Sequence, residues 1–143
     1  VEAAEVLGDQ QLLQRVKTVA VSMAEAVLDD GIADDHGIWN EANPQGLISK
    51  DKDWWPQAEA VVGFYNAFQL TGDTKYKDAA FGAWTFIEKY IVDHEHGEWY
   101  WGVDENLQPL THDPKVSAWK CPYHNSRACF EMIERLTLIT KEH

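Results

Sequence analysis

A chain of 143 residues is long enough for one domain with a modest core. Its 12 basic and 24 acidic residues leave a formal net charge of −12, a field that repels phosphate backbones and anionic membranes and so argues against nucleic-acid or lipid-surface partners. No apolar run approaches the roughly 20 residues that a bilayer-crossing helix requires.

The first periodic segment runs from about Asp9 to Asp29, with Leu13, Val16, Ala20, Met23 and Val27 on one face at helical spacing. A turn-rich stretch follows from Ala33 to Asp53. It is longer than the usual helix–helix connection, which predicts a functional loop or a short hairpin. Pro56 fits the first turn of a second helix, where its missing N–H costs nothing, and Ala58, Val61, Val62, Tyr65 and Phe68 form its apolar stripe to about Leu70. Thr71–Gly72–Asp73–Thr74 breaks that helix, with Asp73 or Thr74 as the next N-cap. The third helix turns Tyr76, Ala80, Ala83, Trp84 and Ile87 inward, and its alanines predict close packing on a neighbour. A second long loop, Asp93 to Lys120, precedes a last helix with Cys129, Met132, Ile133, Leu136 and Ile139 on one side.

The two long loops repeat each other. Gly37 and Gly97 are sixty residues apart, as are Trp39 and Trp99, and Trp55–Pro56 corresponds to Trp119 and Pro122 at a slightly larger offset. A helix–long loop–helix–short turn repeat places every long loop at the same end of a helical array, the geometry by which α/α toroids build a pocket. Four helices make two hairpins, an open arc with apolar edges. The sequence therefore predicts an all-α fold, a partial (α/α)6 toroid. Residues 1–143 would form the C-terminal portion of a larger barrel, with self-association through the exposed edges as a further expectation. A self-contained helical bundle is the alternative.

Cys121 and Cys129 are eight residues apart. On one helix, a rise of about 1.5 Å per residue would separate them by about 12 Å, too far for a disulfide. With no secretory pattern, this predicts a reduced, cytoplasmic protein.

The chemistry concentrates at two loop-to-helix junctions. In the second, Trp119–Lys120–Cys121–Pro122–Tyr123–His124–Asn125–Ser126–Arg127, an imidazole follows a helix-opening proline. A helix N-terminus favours the neutral imidazole, which suits an acid/base group near neutral pH, and Asn125 or Tyr123 could fix its tautomer. The alternative is that His124 only packs beside Pro122. The first junction, Asp53–Trp54–Trp55–Pro56–Gln57–Ala58–Glu59, repeats the arrangement with a carboxylate. Trp54, Trp55 and Trp119 could offer ring faces to a pyranose, and neighbouring side chains diverge, so at least one of Trp54 and Trp55 should be open to a ligand. Glu59 could accept a sugar hydroxyl or pair with Arg127, Gln57 could face the pocket, and Trp39 is a loop anchor or a further sugar contact.

His94, Glu95 and His96 lack a third ligand of convincing spacing, so no metal site is expected. His36, His112 and His143 are expected at the surface. No nucleotide or phosphate-cradling fingerprint occurs. Glu59 with Asp53 or Glu41 could form the carboxylate pair of a glycoside hydrolase, whose separation the sequence leaves open.

The stretches Asp51–Lys52–Asp53–Trp54–Trp55–Pro56–Gln57–Ala58–Glu59–Ala60 and Trp119 through Cys129 resemble the C-terminal signatures of the N-acylglucosamine 2-epimerase family, most closely its cellobiose-acting branch. The resemblance covers essentially the whole chain. It implies an (α/α)6 barrel of which this chain is the last third. It also implies cofactor-free epimerisation at C2 of the reducing-end aldose of a β-1,4-linked disaccharide such as cellobiose or lactose, through a cis-enediol. His124 matches one of the two histidines that exchange the C2 proton, and Trp119 and one of Trp54 and Trp55 match residues that pack on the sugar. The other histidine belongs to a His-x-x-Glu segment upstream of the region matching Val1–Gly8, so residues 1–143 alone are expected to be inactive. The alternatives are an aldose–ketose isomerase acting on mannose or a related monosaccharide, and a noncatalytic carbohydrate-binding helical domain.

Overall fold

The computed structural model describes the backbone of residues 1–141 and side chains as far as residue 137. The expected inward side chain of Ile139 and the expected surface group His143 lie outside the described residues. Among the described residues there are five α-helices: α1 (Glu2–Leu7), α2 (Gln10–Ala26), α3 (Trp54–Thr71), α4 (Thr74–Phe86) and α5 (Tyr123–Lys141). Side chains set their starts. Asp9 Oδ1 accepts the N–H groups of Gln11 and Leu12, each at 3.0 Å, and Asp73 Oδ1 accepts that of Lys75 at 3.0 Å. Gly72 ends α3 at φ 74, a left-handed conformation that lets its N–H reach the Phe68 carbonyl at 2.7 Å. The short α1 lies outside the sequence expectation, because six residues carry too little periodicity to register.

α3 is the central helix and packs against α2, α4 and α5. Ala58 on α3 and Ala83 on α4 are both fully buried, so small side chains bring these helices together around Phe86, Ile87 and Ile91. α5 differs from expectation. Of its anticipated inward stripe, Cys129 and Met132 are half-buried, whereas Ile133 is 62% and Leu136 39% exposed. The physical reason is position: α5 packs chiefly on α3, with only an Arg135–Glu2 ion pair to α1, and stands at the edge of the helical layer. On α2, Leu13 is buried but Met23 is exposed for the same reason, since its outer flank has no neighbour among the described residues.

The internal repeat is expressed in the backbone. α2 and α4 each finish in a π-helical turn, Val27–Gly31 and Ile87–Ile91, and each turn leads into a bridged loop, Ile32 with Ile38 and Val92 with Trp99. Gly37 is required here, because a Cβ would lie 2.6 Å from Lys52 Cδ and 2.7 Å from the Phe86 ring. The first loop contains the expected hairpin, strands β1 (Glu41–Asn43) and β2 (Gly46–Ser49), nearly all exposed. Its last residues form β3 (Lys52–Asp53), which pairs antiparallel with β4 (Gly102–Val103) of the second loop. Both long connections therefore meet at the end of the helices where α3 and α5 begin. The fold is mostly helical, with the short strands confined to this end. No described helix is long and apolar enough to cross a membrane. Cys121 and Cys129 are unpaired; Cys121 lies before α5 rather than on it, so the one-helix spacing does not apply.

Candidate functional site

The helix starts of α3 and α5 lie side by side, and Glu59 joins them. Its Oε1 is 2.8 Å from His124 Nδ1, and its Oε2 accepts from Arg127 Nη2. Burial pushes the Glu59 carboxyl up, but the hydrogen bonds from Arg127 and His124 outweigh it and hold it below the usual glutamate value. An ionised carboxylate can only accept, so the proton of this contact sits on His124 Nδ1. In the neutral imidazole, Nε2 then carries the free lone pair. The tautomer is thus set by Glu59, 65 residues away in sequence, and not by the neighbouring Asn125 or Tyr123. Arg127 in turn holds Glu59, and its own pKa is raised by that hydrogen bond.

Three rings surround the imidazole. The centroids of Tyr123, Trp55 and Trp54 lie 5.0, 6.0 and 6.5 Å from that of His124. Trp55 is 41% exposed and presents its ring to solvent, whereas Trp54 is 2% exposed. Trp54 is therefore corrected from a sugar contact to a core residue: it packs edge-on to Trp101 at 4.9 Å beneath His124, with the Lys120 ammonium 5.2 Å from its ring. The divergence of adjacent side chains sends one indole inward and the other outward.

Trp39 has two roles. Lys52 Nζ sits 4.4 Å over its ring, anchoring it to the loop, and the ring also lines a cavity of about 530 Å³ between α2 and α3. Met23, Val27, Trp55, Glu59 and Phe64 share that wall. His124 does not line the cavity; Trp55 and Glu59 stand between them as shared walls. Trp119 is 81% exposed, and its ring makes no aromatic contact with the other residues of the group. The site residues accordingly divide into a joined set (Trp55, Glu59, His124 and Arg127), a neighbour across the cavity (Trp39), and an outlier (Trp119).

Gln57 does not face the pocket. It is fully buried, its Oε1 accepts the Ile38 N–H at 2.7 Å, and its Nε2 donates to the Ile38 carbonyl at 2.9 Å. Sequence reasoning also missed Lys52 and Lys120. Lys52 Nζ pairs with Asp35 at 2.6 Å, and Lys120 Nζ donates to the Trp99 carbonyl at 3.0 Å. The available signal was their spacing: Lys52 precedes Gln57 by five residues, and Lys120 precedes Asn125 by five. Asp53, at the head of α3, has its pKa raised to about 6, first by burial and then by the charge of Asp51, against a hydrogen bond from Trp101. Glu41, the other carboxylate considered for glycosidic cleavage, is exposed on β1. His94 Nε2–H donates to the Glu88 carbonyl at 2.6 Å, His96 stands 3.5 Å from Asp93, and no metal-competent cluster of three occurs among the described residues.

Residues 2–128 match the family described as N-acylglucosamine 2-epimerase (GlcNAc 2-epimerase). A cellobiose 2-epimerase of Dictyoglomus turgidum is 39% identical over 136 residues, covering 94% of this chain and 34% of that protein. A crystal structure of a sugar epimerase from a ruminal bacterium superposes with a TM-score of 0.87 at 38% identity, over 93% of this chain and 34% of that one. A D-mannose isomerase of Marinomonas mediterranea is 33% identical over 96 residues, 66% of this chain and 24% of that protein. The chain spans about a third of the length of the curated relatives it matches. It belongs to the N-acylglucosamine 2-epimerase family.

Proposed function

We propose that residues 1–143 are the C-terminal third of a cofactor-independent sugar 2-epimerase, an (α/α)6 barrel that inverts C2 of the reducing-end aldose of a β-1,4-linked disaccharide of the cellobiose or lactose type. The observation that carries this reading is the Glu59–His124 contact. It leaves an imidazole lone pair beside the exposed Trp55 ring at the end of the fold where both long loops meet. The exposed apolar flanks of α2 and α5 support the barrel: Met23, Ile133 and Leu136 are positioned as interior residues of a layer continued by further helices.

In this mechanism the sugar opens to its aldehyde, which acidifies the C2 hydrogen. His124 Nε2 and a second acid/base group lie on opposite faces of C2. One removes the proton to give a cis-enediol, and the other delivers a proton to the opposite face. Glu59 stabilises the imidazolium when His124 holds the proton, and Arg127 keeps Glu59 ionised through both states. Trp55 supplies a flat apolar surface for the pyranose ring, with Trp39 and Trp119 as further sugar contacts. One imidazole cannot serve both faces; we assign the second role to the histidine of the His-x-x-Glu segment that the family resemblance places upstream of the region matching Val1–Gly8, so that these residues alone are inactive.

The similarity to a D-mannose isomerase favours a second reading, aldose–ketose isomerisation, which uses the same enediol but returns the proton to C1. The higher identity and fuller coverage by cellobiose 2-epimerases favour epimerisation. The test is to incubate the full-length protein with cellobiose in deuterated water and identify the product. Epimerisation gives a C2-deuterated mannose at the reducing end, isomerisation gives a ketose, and a noncatalytic sugar-binding domain gives saturable binding with no exchange. His124→Ala should abolish exchange; unchanged exchange would remove His124 from the mechanism.

A further inference from the structure

Trp119 and His124 each precede a residue that is withdrawn from solvent: Lys120 is fully buried and Asn125 is 7% exposed. Both buried groups turn to one carboxylate in the second loop. Asn125 Nδ2 donates to Glu98 Oε1 at 2.7 Å, and Lys120 Nζ lies 3.5 Å from the same oxygen. Glu98 itself holds φ 64, in the left-handed region that few non-glycine residues adopt, so the turn is built to direct this side chain toward α5. Lys120 adds hydrogen bonds to the Trp99 carbonyl at 3.0 Å and the Lys115 carbonyl at 2.7 Å.

The first junction has the same plan with a different clasp. Lys52 pairs with Asp35, while Gln57 grips both the N–H and the carbonyl of Ile38. There the amide is held by backbone and needs no acidic partner. In the second junction the shorter Asn125 spends its amide N–H on Glu98, and its Oδ1 has no donor among the described residues. On the side of α5 away from Glu59, the Asn125 amide is therefore tied to one side chain, Glu98, where the Gln57 amide of α3 is tied to backbone alone.

We infer that Glu98 is a positioning residue for the proposed reaction, setting His124 through Asn125 and the Trp119 loop through Lys120. This rests on the epimerase reading, and it concerns placement, since Glu98 bonds to neither His124 nor the site carboxylate Glu59. A displacement on the order of 1 Å at a reacting group costs up to about a hundredfold in rate, so a tie of this kind has a kinetic signature larger than its effect on folding.

The experiment uses the full-length enzyme and compares wild type with Glu98→Ala, Glu98→Gln, Asn125→Ala and the Glu98→Ala/Asn125→Ala double variant. The readouts are kcat and KM for C2 exchange, and the ¹⁵N shifts of the His124 imidazole well below the melting temperature. Glu98→Ala and Asn125→Ala should each lower kcat by about tenfold or more and move the His124 resonances, and the double variant should lose little further, as expected for two links of one tie. Glu98→Gln keeps an acceptor for Asn125 and should restore most of kcat, with a larger effect on KM through the Lys120–Trp119 side. Fully additive losses, or kcat, KM and His124 shifts within twofold of wild type or unmoved in Glu98→Ala, would overturn the inference; should Glu98→Ala not fold, the Glu98→Gln and Asn125→Ala arms decide it alone. If wild type exchanges no C2 proton, the epimerase reading fails by itself, and the imidazole shifts still report whether Glu98 places His124.

Discussion

The starts of α3 and α5 are two versions of one junction. Each has a buried lysine, a buried amide five residues on, and exposed or half-exposed functional groups interleaved with them. At α3 the amide closes two hydrogen bonds on the Ile38 backbone and a third on the Asp53 carbonyl at 3.0 Å, and the helix lies in the centre of the fold. At α5 the amide closes one hydrogen bond on a side chain, and the helix lies at the edge. α3 is thus a rigid platform and α5 an adjustable one, and Glu59 is the bridge by which the platform orients the imidazole carried on the adjustable side. The difference teaches that burial and chemistry are separated by single residues: Trp54 secures the core, and Trp55 faces the cavity.

The contrast can be broken in graded steps. Trp54→Ala should be the most damaging, costing about 3–5 kcal/mol in denaturant unfolding, because it empties the core beneath both junctions. A loss under about 1 kcal/mol would mean that Trp54 is not a core residue. Gln57→Leu should cost about 2–3 kcal/mol by stranding the Ile38 N–H and carbonyl in the interior. Asn125→Leu should cost less than about 1 kcal/mol, since Glu98 keeps Lys120 as a partner. Equal losses in the two amide variants would erase the distinction between platform and adjustable side.

Asp53 sharpens the comparison through pH. Its proton is retained to about 6 in the folded chain and lost near 4 in the unfolded one, so the folded state binds more protons between those values. Stability should therefore fall as pH rises from about 4 to about 6 and stay at the lower level above it. Asp53→Asn should flatten this fall and add about 1 kcal/mol at neutral pH, allowing for solvent screening of the partly buried group. A melting temperature that rises across that window in the wild type would reverse the sign and contradict the burial of Asp53. The smallest effect on folding is expected for Trp119→Ala, within about 0.5 kcal/mol because the ring is 81% exposed, yet KM for the disaccharide should rise. An unchanged KM would remove Trp119 from the proposed sugar site.

Much of this was legible in the residues. Helical periodicity located α2, α3, α4 and α5, Asp73 announced its cap, and the sixty-residue repeat placed both long loops at one end. The chemistry-bearing residue types were legible as well, but their connections were not. Nothing local pairs Glu59 with His124 across 65 positions, and a local reading offers only the adjacent Asn125 or Tyr123 as the group that could fix the tautomer. Gln57 reads as a pocket group, and Lys52 and Lys120 draw no notice, because long polar side chains are ordinarily solvated; their burial follows from backbone carbonyls and carboxylates that only the folded loops assemble. The α5 stripe misled for the opposite reason: periodicity identifies an apolar face but not the neighbour that covers it, and Ile133 and Leu136 have none among the described residues.

The central claim is that Glu59 holds His124 with its proton on Nδ1 and its lone pair on Nε2. The direct measurement is the ¹⁵N spectrum of the His124 imidazole in the full-length protein at a pH where the ring is neutral, for wild type and Glu59→Gln. A protonated Nδ1 and an unprotonated Nε2 are expected in wild type, with that preference weakened in Glu59→Gln and C2 proton exchange slowed in parallel. A wild-type ring protonated on Nε2, or a tautomer and exchange rate indifferent to Glu59→Gln, would contradict it.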